Sequence, residues 1–484
     1  MNYRFILYIL GRLTFGLACI QIVPTIYALL SAEGCCPAFL GSLCISLLLA
    51  LAMMRYGRFS RKWTISLREG LLSTSAGWLL TGILCALPYL FAGVLSPVEA
   101  LFESVSGITT TGATGLANVE SLPTALLFWR SLTQWLGGMG IIVLFVVLLP
   151  QVSGGMAHLF NAEASLFGPD RVMPRIRTAA LTIFGIYMVL TLGGFVMLLA
   201  CGMPLFDAIN HTFTTVSTGG FSIYNDGIRH YRDPSIEFAL TVLMLLSGAN
   251  FALYYGGIRK GIKVCLHNTE FKLYVFIFVV VSVFIANDLF LQGHPDAEDL
   301  LSAFFQTAAF LTTTGFVAYD FSIWPDFSKL ALCFLYFVGG CSGSAAGGFK
   351  VGRMAVMVKM LQMEMRRAVH PRMIPEIIFN KRALPPLVIG NIARFFFIYI
   401  MTVVVSGLLL SLSGLNLEES IFGAAAALSN IGPSMGGIGA NANYAEVNDF
   451  AKLVLALTML LGRLEIFAVL ALLRPEFWSK NRNW

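Results

Sequence analysis

The sequence predicts an all-α polytopic membrane protein: ten transmembrane helices, two leading and the rest forming four pseudo-symmetric helix, re-entrant pore loop, helix repeats around one pore. Three observations carry this. Of 484 residues, 57% are hydrophobic and only 12% charged, with mean hydropathy +0.78, against roughly 25% charge in a soluble domain. Basic residues collect in alternate loops. A Thr/Ser-Gly turn after a short apolar stretch recurs four times, about a hundred residues apart.

This composition excludes a water-soluble single-core enzyme. The lipid bilayer is the implied partner, and the net charge of +6 does not indicate nucleic acid, because in a membrane protein the placement of Lys and Arg matters more than their sum. The nine cysteines show no CxxC or Cys/His spacing, and Cys35-Cys36 has no evident disulfide partner.

At about 20 apolar residues per crossing, spans fall near 5–30, 36–54, 70–91, 123–149, 178–201, 235–257, 273–290, 327–349, 393–412 and 450–473. The first apolar run is too long for a signal peptide and reads as a retained helix. Arg55, Arg58, Arg61, Lys62 and Arg68 follow the second span, and Arg171, Arg175 and Arg177 follow the fourth. Arg259, Lys260, Lys263 and Lys272 follow the sixth, and a run from Lys350 to Arg382 follows the eighth. Arg474, Lys480 and Arg482 follow the tenth. The positive-inside rule makes these segments and both termini cytoplasmic. The opposite loops carry Glu99, Glu103, Asp296, Glu298, Asp299, Glu418 and Glu419; Arg229 and Arg232 in one outer loop break the pattern without reversing it. The chain thus divides into leading helices (1–68), first repeat (69–177), second (178–270), third (271–383), and fourth with a cytoplasmic tail (384–484).

The outer loops hold PVEALFESVSGITTTGATG, MPLFDAINHTFTTVSTGGFS, DAEDLLSAFFQTAAFLTTTGFVA and LEESIFGAAAALSNIGPSMGG. Each reads as a re-entrant half-helix ending in a turn. Ser96-Pro97 with Glu99, and Asn416 with Glu419, are capping boxes; Asp296 is a cap for the third half-helix and Asp207 lies early in the second. A half-helix entering from outside points the negative end of its dipole toward the membrane centre. Four such ends converge on a cation.

Aligned on Gly112, Gly219, Gly315 and Gly432, the column two residues earlier holds Thr110, Ser217, Thr313 and Asn430, and the column between holds Thr111, Thr218, Thr314 and Ile431. Irregular backbone at membrane depth persists only where it lines a cavity or is buried in protein. Glycine permits conformations that aim successive carbonyls at an axis, and a ring of four such segments replaces a cation's hydration shell. The Thr and Ser hydroxyls add ligands or brace the loop. The competing structural reading is four helix C-caps in a transporter without a filter. Nine residues before the aligned glycines stand Glu103, Asn210, Gln306 and Gly423, which read as bracing from behind, with Glu103 alternatively a source of negative potential in the outer vestibule.

These segments, TTTGATG (109–115), VSTGGFS (216–222), TTTGF (312–316) and SNIGPS (429–434), resemble the four filter segments of the Trk/Ktr/HKT superfamily of cation transporters. With two extra leading helices, the whole chain is most similar to its bacterial Trk potassium-uptake branch. The resemblance implies potassium as the ion in the pore with no covalently bound cofactor, a bacterial inner-membrane location, and a homodimer. It also implies a cytosolic TrkA-like regulatory subunit that binds nucleotide (NAD, ATP or ADP). In that superfamily glycine at all four filter positions goes with potassium, and Ser in the first with sodium-preferring plant relatives; all four here are Gly. Asn430 and Ile431 depart from the pattern, leaving a sodium-permeable, or a sodium- or proton-coupled, potassium symporter as the alternative.

Two features bear on gating. The eighth span is interrupted by GGCSGSAAGG (339–348), which includes Gly339, Gly340, Gly343, Gly347 and Gly348 and leads to Lys350. It reads either as close helix packing through small residues or as a flexible intramembrane loop beneath the filter. The resemblance favours the loop, at 339–350. Arg463 lies mid-span, where a lone Arg costs about 2.5–3.5 kcal/mol; it is expected to contact the loop around Gly343–Gly348 and raise the barrier below the filter, or else to be satisfied structurally by backbone carbonyls. A small-solute secondary transporter is the runner-up, disfavoured because the repeats are parallel and their half-helix C-termini point inward. A membrane enzyme lacks support, since the six His are dispersed.

Overall fold

The computed structural model describes residues 1–31, 33–57, 66–140, 176–261, 263–292, 297–372, 376–380, 382–439 and 443–479. Six described helices are long and apolar enough to cross a membrane: Tyr3–Ser31, Cys36–Tyr56, Leu67–Phe91, Ile176–Ala200, Thr269–Leu291 and Pro386–Ser411. They coincide with the first, second, third, fifth, seventh and ninth expected spans. Leu48, Val189, Leu192 and Phe276 on these helices are largely exposed, as expected of a helix apolar on all sides that packs on protein through one face only.

The four remaining expected spans are not continuous helices. Thr124–Gly138 ends before Gly140 (φ 68), and its continuation from 141 lies outside the described residues. Pro234–Gly248 turns through 88° into Phe251–Lys260. Asp326–Leu335 gives way to a loop before Val351–Val369, and Asp449–Arg463 breaks at Glu465 (φ 54) and Ile466 (φ 29) before Phe467–Leu472. A shared close approach accompanies the breaks: a Cβ on Gly137 would strike the Ile108 carbonyl, and one on Gly462 the Leu428 carbonyl. These following helices therefore come backbone to backbone against the half-helix ends, and apolar length alone does not reveal it. Arg58, Arg61, Lys62, Arg171, Arg175, Asp296, Lys480 and Arg482, and the side chains of Arg177, Glu298 and Asp299, also lie outside the described residues.

The half-helices are Pro97–Ile108, Leu205–Val216, Ala297–Leu311 and Leu417–Ser429, each packed on the long helix before it. Both predicted capping boxes form: Ser96 Oγ accepts from Glu99 N (3.4 Å) while Glu99 Oε2 accepts from Ser96 N (3.1 Å), and Asn416 and Glu419 exchange the same pair at 2.9 and 3.1 Å. Asp207 does not cap; its carboxylate accepts from the hydroxyls of Tyr224 (3.0 Å) and Tyr231 (2.8 Å). The leading helices join through a buried polar cluster, with Gln21 Nε2 donating to Ser42 Oγ (2.6 Å) and Ser46 Oγ to Gln21 Oε1 (3.3 Å). Glu33, in the turn between them, accepts from the N–H (2.6 Å) and hydroxyl (2.9 Å) of Thr124, serving a helix start that Pro123 cannot cap.

Candidate functional site

All four half-helices end on a residue in the left-handed region: Thr110 (φ 56), Thr218 (φ 54), Thr313 (φ 57) and Asn430 (φ 56). In the first, second and fourth the same pair of bonds closes the end. Thr110 N donates to Gly107 O and Thr111 N to Ser106 O; Thr218 N donates to Thr215 O and Gly219 N to Thr214 O; Asn430 N donates to Ala427 O and Ile431 N to Ala426 O. This is the Schellman pattern. Its left-handed position normally takes glycine, whereas three of the four residues here are β-branched threonines, a strained choice held by its surroundings. Thr110 and Thr218 each donate their hydroxyl to the preceding carbonyl, at 2.7 and 2.6 Å.

This geometry corrects the alignment of the second segment by one residue. Thr218, Gly219 and Gly220 (φ 78) stand where the others carry Thr110–Gly112 (φ 82 at Gly112), Thr313–Gly315 (φ 73 at Gly315) and Asn430–Gly432. Gly220, not Gly219, is the counterpart of Gly112. Ser217 falls back onto the helix-end position of Thr109, Thr312 and Ser429. The bracing column shifts with it: His211, not Asn210, matches Glu103 and Gln306. Asn210 Nδ2 donates only to Phe206 O of its own helix (2.7 Å), whereas His211 Nε2 lies 3.3 Å from Ser222 Oγ. A double glycine offers two alignments to a reader of the string, and only the backbone separates them.

The four segments close into a ring in chain order. A Cβ on Gly112 would strike the carbonyl oxygen of Gly219, and one on Gly220 that of Thr314. One on Gly315 would lie 2.9 Å from Gly432 N, and one on Gly432 would lie 2.6 Å from the carbonyl carbon of Gly112. Each glycine thus abuts the next segment, and the fourth returns to the first. Among the described residues, no protein N–H or O–H donates to the carbonyl oxygens of Thr111, Gly112, Thr218, Gly220, Thr314, Gly315 or Ile431. Thr111, Thr218, Thr314 and Ile431 are buried, and buried carbonyls are otherwise almost always paired.

The ring is held from behind by side chains. Glu103 accepts from Gly115 N (2.9 Å) and Thr114 Oγ1 (3.1 Å) and pairs with Arg130 Nε at 2.8 Å, both side chains fully buried; Gln306 Oε1 accepts from Ala318 N (3.2 Å). Arg130 Nη1 donates to Ser222 O (2.9 Å) and its guanidinium lies 4.1 Å from the Phe221 ring centre. One turn on, Gln134 Nε2 donates to Gly219 O (2.7 Å) and its Oε1 accepts from Phe221 N (3.1 Å). In the fourth segment Tyr336 donates to Pro433 O (2.9 Å) and Tyr444 to Gly432 O (3.1 Å). Asn430 Nδ2 is 3.0 Å from both Thr111 Oγ1 and Met459 O. The sequence reading missed Arg130, Gln134, Tyr336 and Tyr444. For the first two the signal was present, since polar residues inside an apolar span default to a functional reading.

Against the ring and the end of the fourth half-helix, residues 339–350 form a non-helical loop with positive φ at Gly339, Gly343, Gly348 and Lys350. The two limbs touch, a Cβ on Gly348 lying 2.8 Å from Gly339 Cα, and a Cβ on Gly340 would strike Ala346. The loop spans the break in the second repeat through Cys341 N to Gly248 O (2.9 Å) and Phe251 N to Gly343 O (3.1 Å). It reaches the ring through Gly347 N to Thr313 Oγ1 (2.7 Å). Buried Glu270 accepts from Ser342 N (2.6 Å) and Gly352 N (3.1 Å), and Lys350 donates to Ala346 O. Arg463 meets the expected contact: Nη1 donates to Ala345 O (3.0 Å) and Nη2 to Gly137 O (2.7 Å). Glu465 pairs with Arg353 at 2.5 Å. A cavity of about 170 Å³ opens here, lined by Gly347, Lys350, Arg353, Asn430, Arg463 and Glu465 among others, so three of its charged residues are cationic and one is anionic.

A family described as TrkH, cation transport protein, matches residues 42–480. The Trk system potassium uptake protein TrkH of Salmonella typhimurium is 35% identical, covering 99% of this chain and all of that protein. TrkG of Escherichia coli is 34% identical over 85% of each. The crystal structure of the potassium transporter TrkH from Vibrio parahaemolyticus superposes with a TM-score of 0.90 at 34% identity, covering 99% of this chain and all of that one.

Proposed function

The chain belongs to the TrkH family of cation transport proteins, a family of transporters rather than enzymes, and from that premise we propose that it takes up potassium through a pore whose filter is the ring of backbone carbonyls. The supporting observation is the closed ring of four segments, in which the carbonyl oxygens of Thr111, Gly112, Thr218, Gly220, Thr314, Gly315 and Ile431 receive no donor from the described residues. Carbonyl dipoles replace the water stripped from the ion, and the half-helix C-termini aimed at the ring add negative potential. The residues that present the ion with oxygen are Thr110, Thr111 and Gly112; Thr218 and Gly220; Thr313, Thr314 and Gly315; and Asn430, Ile431 and Gly432, with Gly219 holding the second segment through its carbonyl and Ser217 bracing from the helix end.

The gate is the loop from Gly339 to Lys350 with Arg463. Lys350, Arg353 and Arg463 around the cavity oppose a cation leaving the filter, and their field acts strongly in a low-dielectric surround. Opening consists of moving the loop and its Arg463 contact off the axis. The chain sits in the bacterial inner membrane with both termini in the cytoplasm, which agrees with its basic loops. It works as a homodimer with a cytosolic TrkA-like, nucleotide-binding regulatory subunit, for which the exposed basic residues Arg366, Arg367 and Arg372, beyond the gate, are the docking surface.

The test is growth on limiting potassium, with rubidium and sodium uptake, in a bacterium lacking its own potassium uptake systems and supplied with the regulator. Wild type restores growth. Gly112→Ser, whose new Cβ strikes the Gly219 carbonyl, loses preference for potassium over sodium by at least about tenfold, a change worth roughly 1.4 kcal/mol. An inserted wild type that moves no alkali cation overturns the reading.

A further inference from the structure

Resting on the filter reading above, we infer that Gln134 is a positioning residue that sets alkali-cation selectivity by clamping the second filter segment. Gln134 is completely buried on Thr124–Gly138, the helix that follows the first half-helix, yet both ends of its amide are spent on the next repeat. Its Nε2 donates to Gly219 O (2.7 Å) and its Oε1 accepts from Phe221 N (3.1 Å), so the two bonds straddle Gly220. The pairing fixes the amide's orientation, because a carbonyl requires a donor and an N–H an acceptor.

The second bond that marks this role comes from Arg130, one helical turn away on the same face. It donates to Ser222 O (2.9 Å) while anchored to Glu103 (2.8 Å). Residues 219, 221 and 222 are thereby each tied to one rigid helix. The clamp is needed at this segment in particular. The carbonyls of Thr218 and Gly220 are free of protein donors, whereas that of Gly219, between them, is turned to Gln134. Fixing the middle carbonyl away from its neighbours determines where those two oxygens stand. In the third repeat Tyr336, just past the end of the equivalent helix, makes one bond of this kind, to Pro433 O. The segment with two adjacent glycines, and so the most freedom to change which carbonyl faces where, carries the strongest clamp.

The experiment compares wild type, Gln134→Glu and Gln134→Leu, full length with the regulator, in the same potassium-uptake-deficient bacterium. Membrane levels are matched, and rubidium uptake is measured against increasing sodium. Gln134→Glu keeps the length, and when ionised it replaces the donor to Gly219 O by a charged acceptor that repels that carbonyl, so it breaks the clamp without truncation and decides the matter if Gln134→Leu fails to insert. The expected result is a fall in rubidium-over-sodium preference of about tenfold in Gln134→Glu, the scale of one buried hydrogen bond, through a changed apparent KM ratio. A purely structural role lowers maximal uptake of both ions equally, and that result, or a preference within twofold of wild type, overturns the inference. Gly112→Ser is run alongside: if it shifts preference and Gln134→Glu does not, only the clamp fails, and if neither does, the filter reading fails with it.

Discussion

Single side chains decide whether the buried polar groups around the ring are satisfied. Glu103 and Arg130 form an ion pair excluded from solvent, and removing one partner of such a pair leaves a buried charge uncompensated. Glu103→Gln is therefore expected to destabilise the protein by about 3–5 kcal/mol, read as a lowered Tm of the purified protein in detergent. Arg463 is different, because it donates to backbone carbonyls, those of Ala345 in the loop and of Gly137. Arg463→Ala removes a positive charge and a tether at once, and potassium uptake at equal expression is expected to rise several-fold. Unchanged uptake would remove Arg463 from the gate. Much of this was legible: an Arg in an apolar run needs a partner, and Ala345 lies within the stretch assigned to it. Gln134 and Arg130 were not read, because the amphipathic run around them was taken as one more span.

At the scale of elements, the long helices and the capping boxes followed directly from apolar length and from Ser96, Glu99, Asn416 and Glu419. The breaks did not. A hydrophobic run of twenty residues looks the same whether it is straight or bent by 88°, and the glycines that mark the bends are also abundant in straight membrane helices. Asn250 is the clearest local signal, since its side chain accepts from Ala252 N at 2.8 Å and starts the second piece of the bent pair. Asn250→Ala is expected to cost about 1 kcal/mol and, because Asn250 also packs on Gly343, to loosen the loop. Faster hydrogen exchange at Cys341–Gly343 than in wild type would be the sign of it.

For the molecule as a whole, the proposed filter exists only when its four segments are assembled, which couples ion binding to folding. Potassium and rubidium are expected to raise the Tm of the purified protein above its value in sodium or choline, the underlying stabilisation growing with concentration and reaching about 2.7 kcal/mol at a hundred times Kd. Equal Tm in all four ions would contradict selective binding by the folded state. The ring's order, with Gly112 against the second segment, Gly220 against the third, Gly315 against the fourth and Gly432 against the first, has one more outcome. In a channel assembled from four copies of one subunit, every mutation is written four times into the pore. Here a single chain supplies all four quarters, so a substitution is written once, and the quarters are free to diverge, as Asn430 and Ile431 already have. Selectivity in such a pore is tunable in quarter steps, one segment at a time.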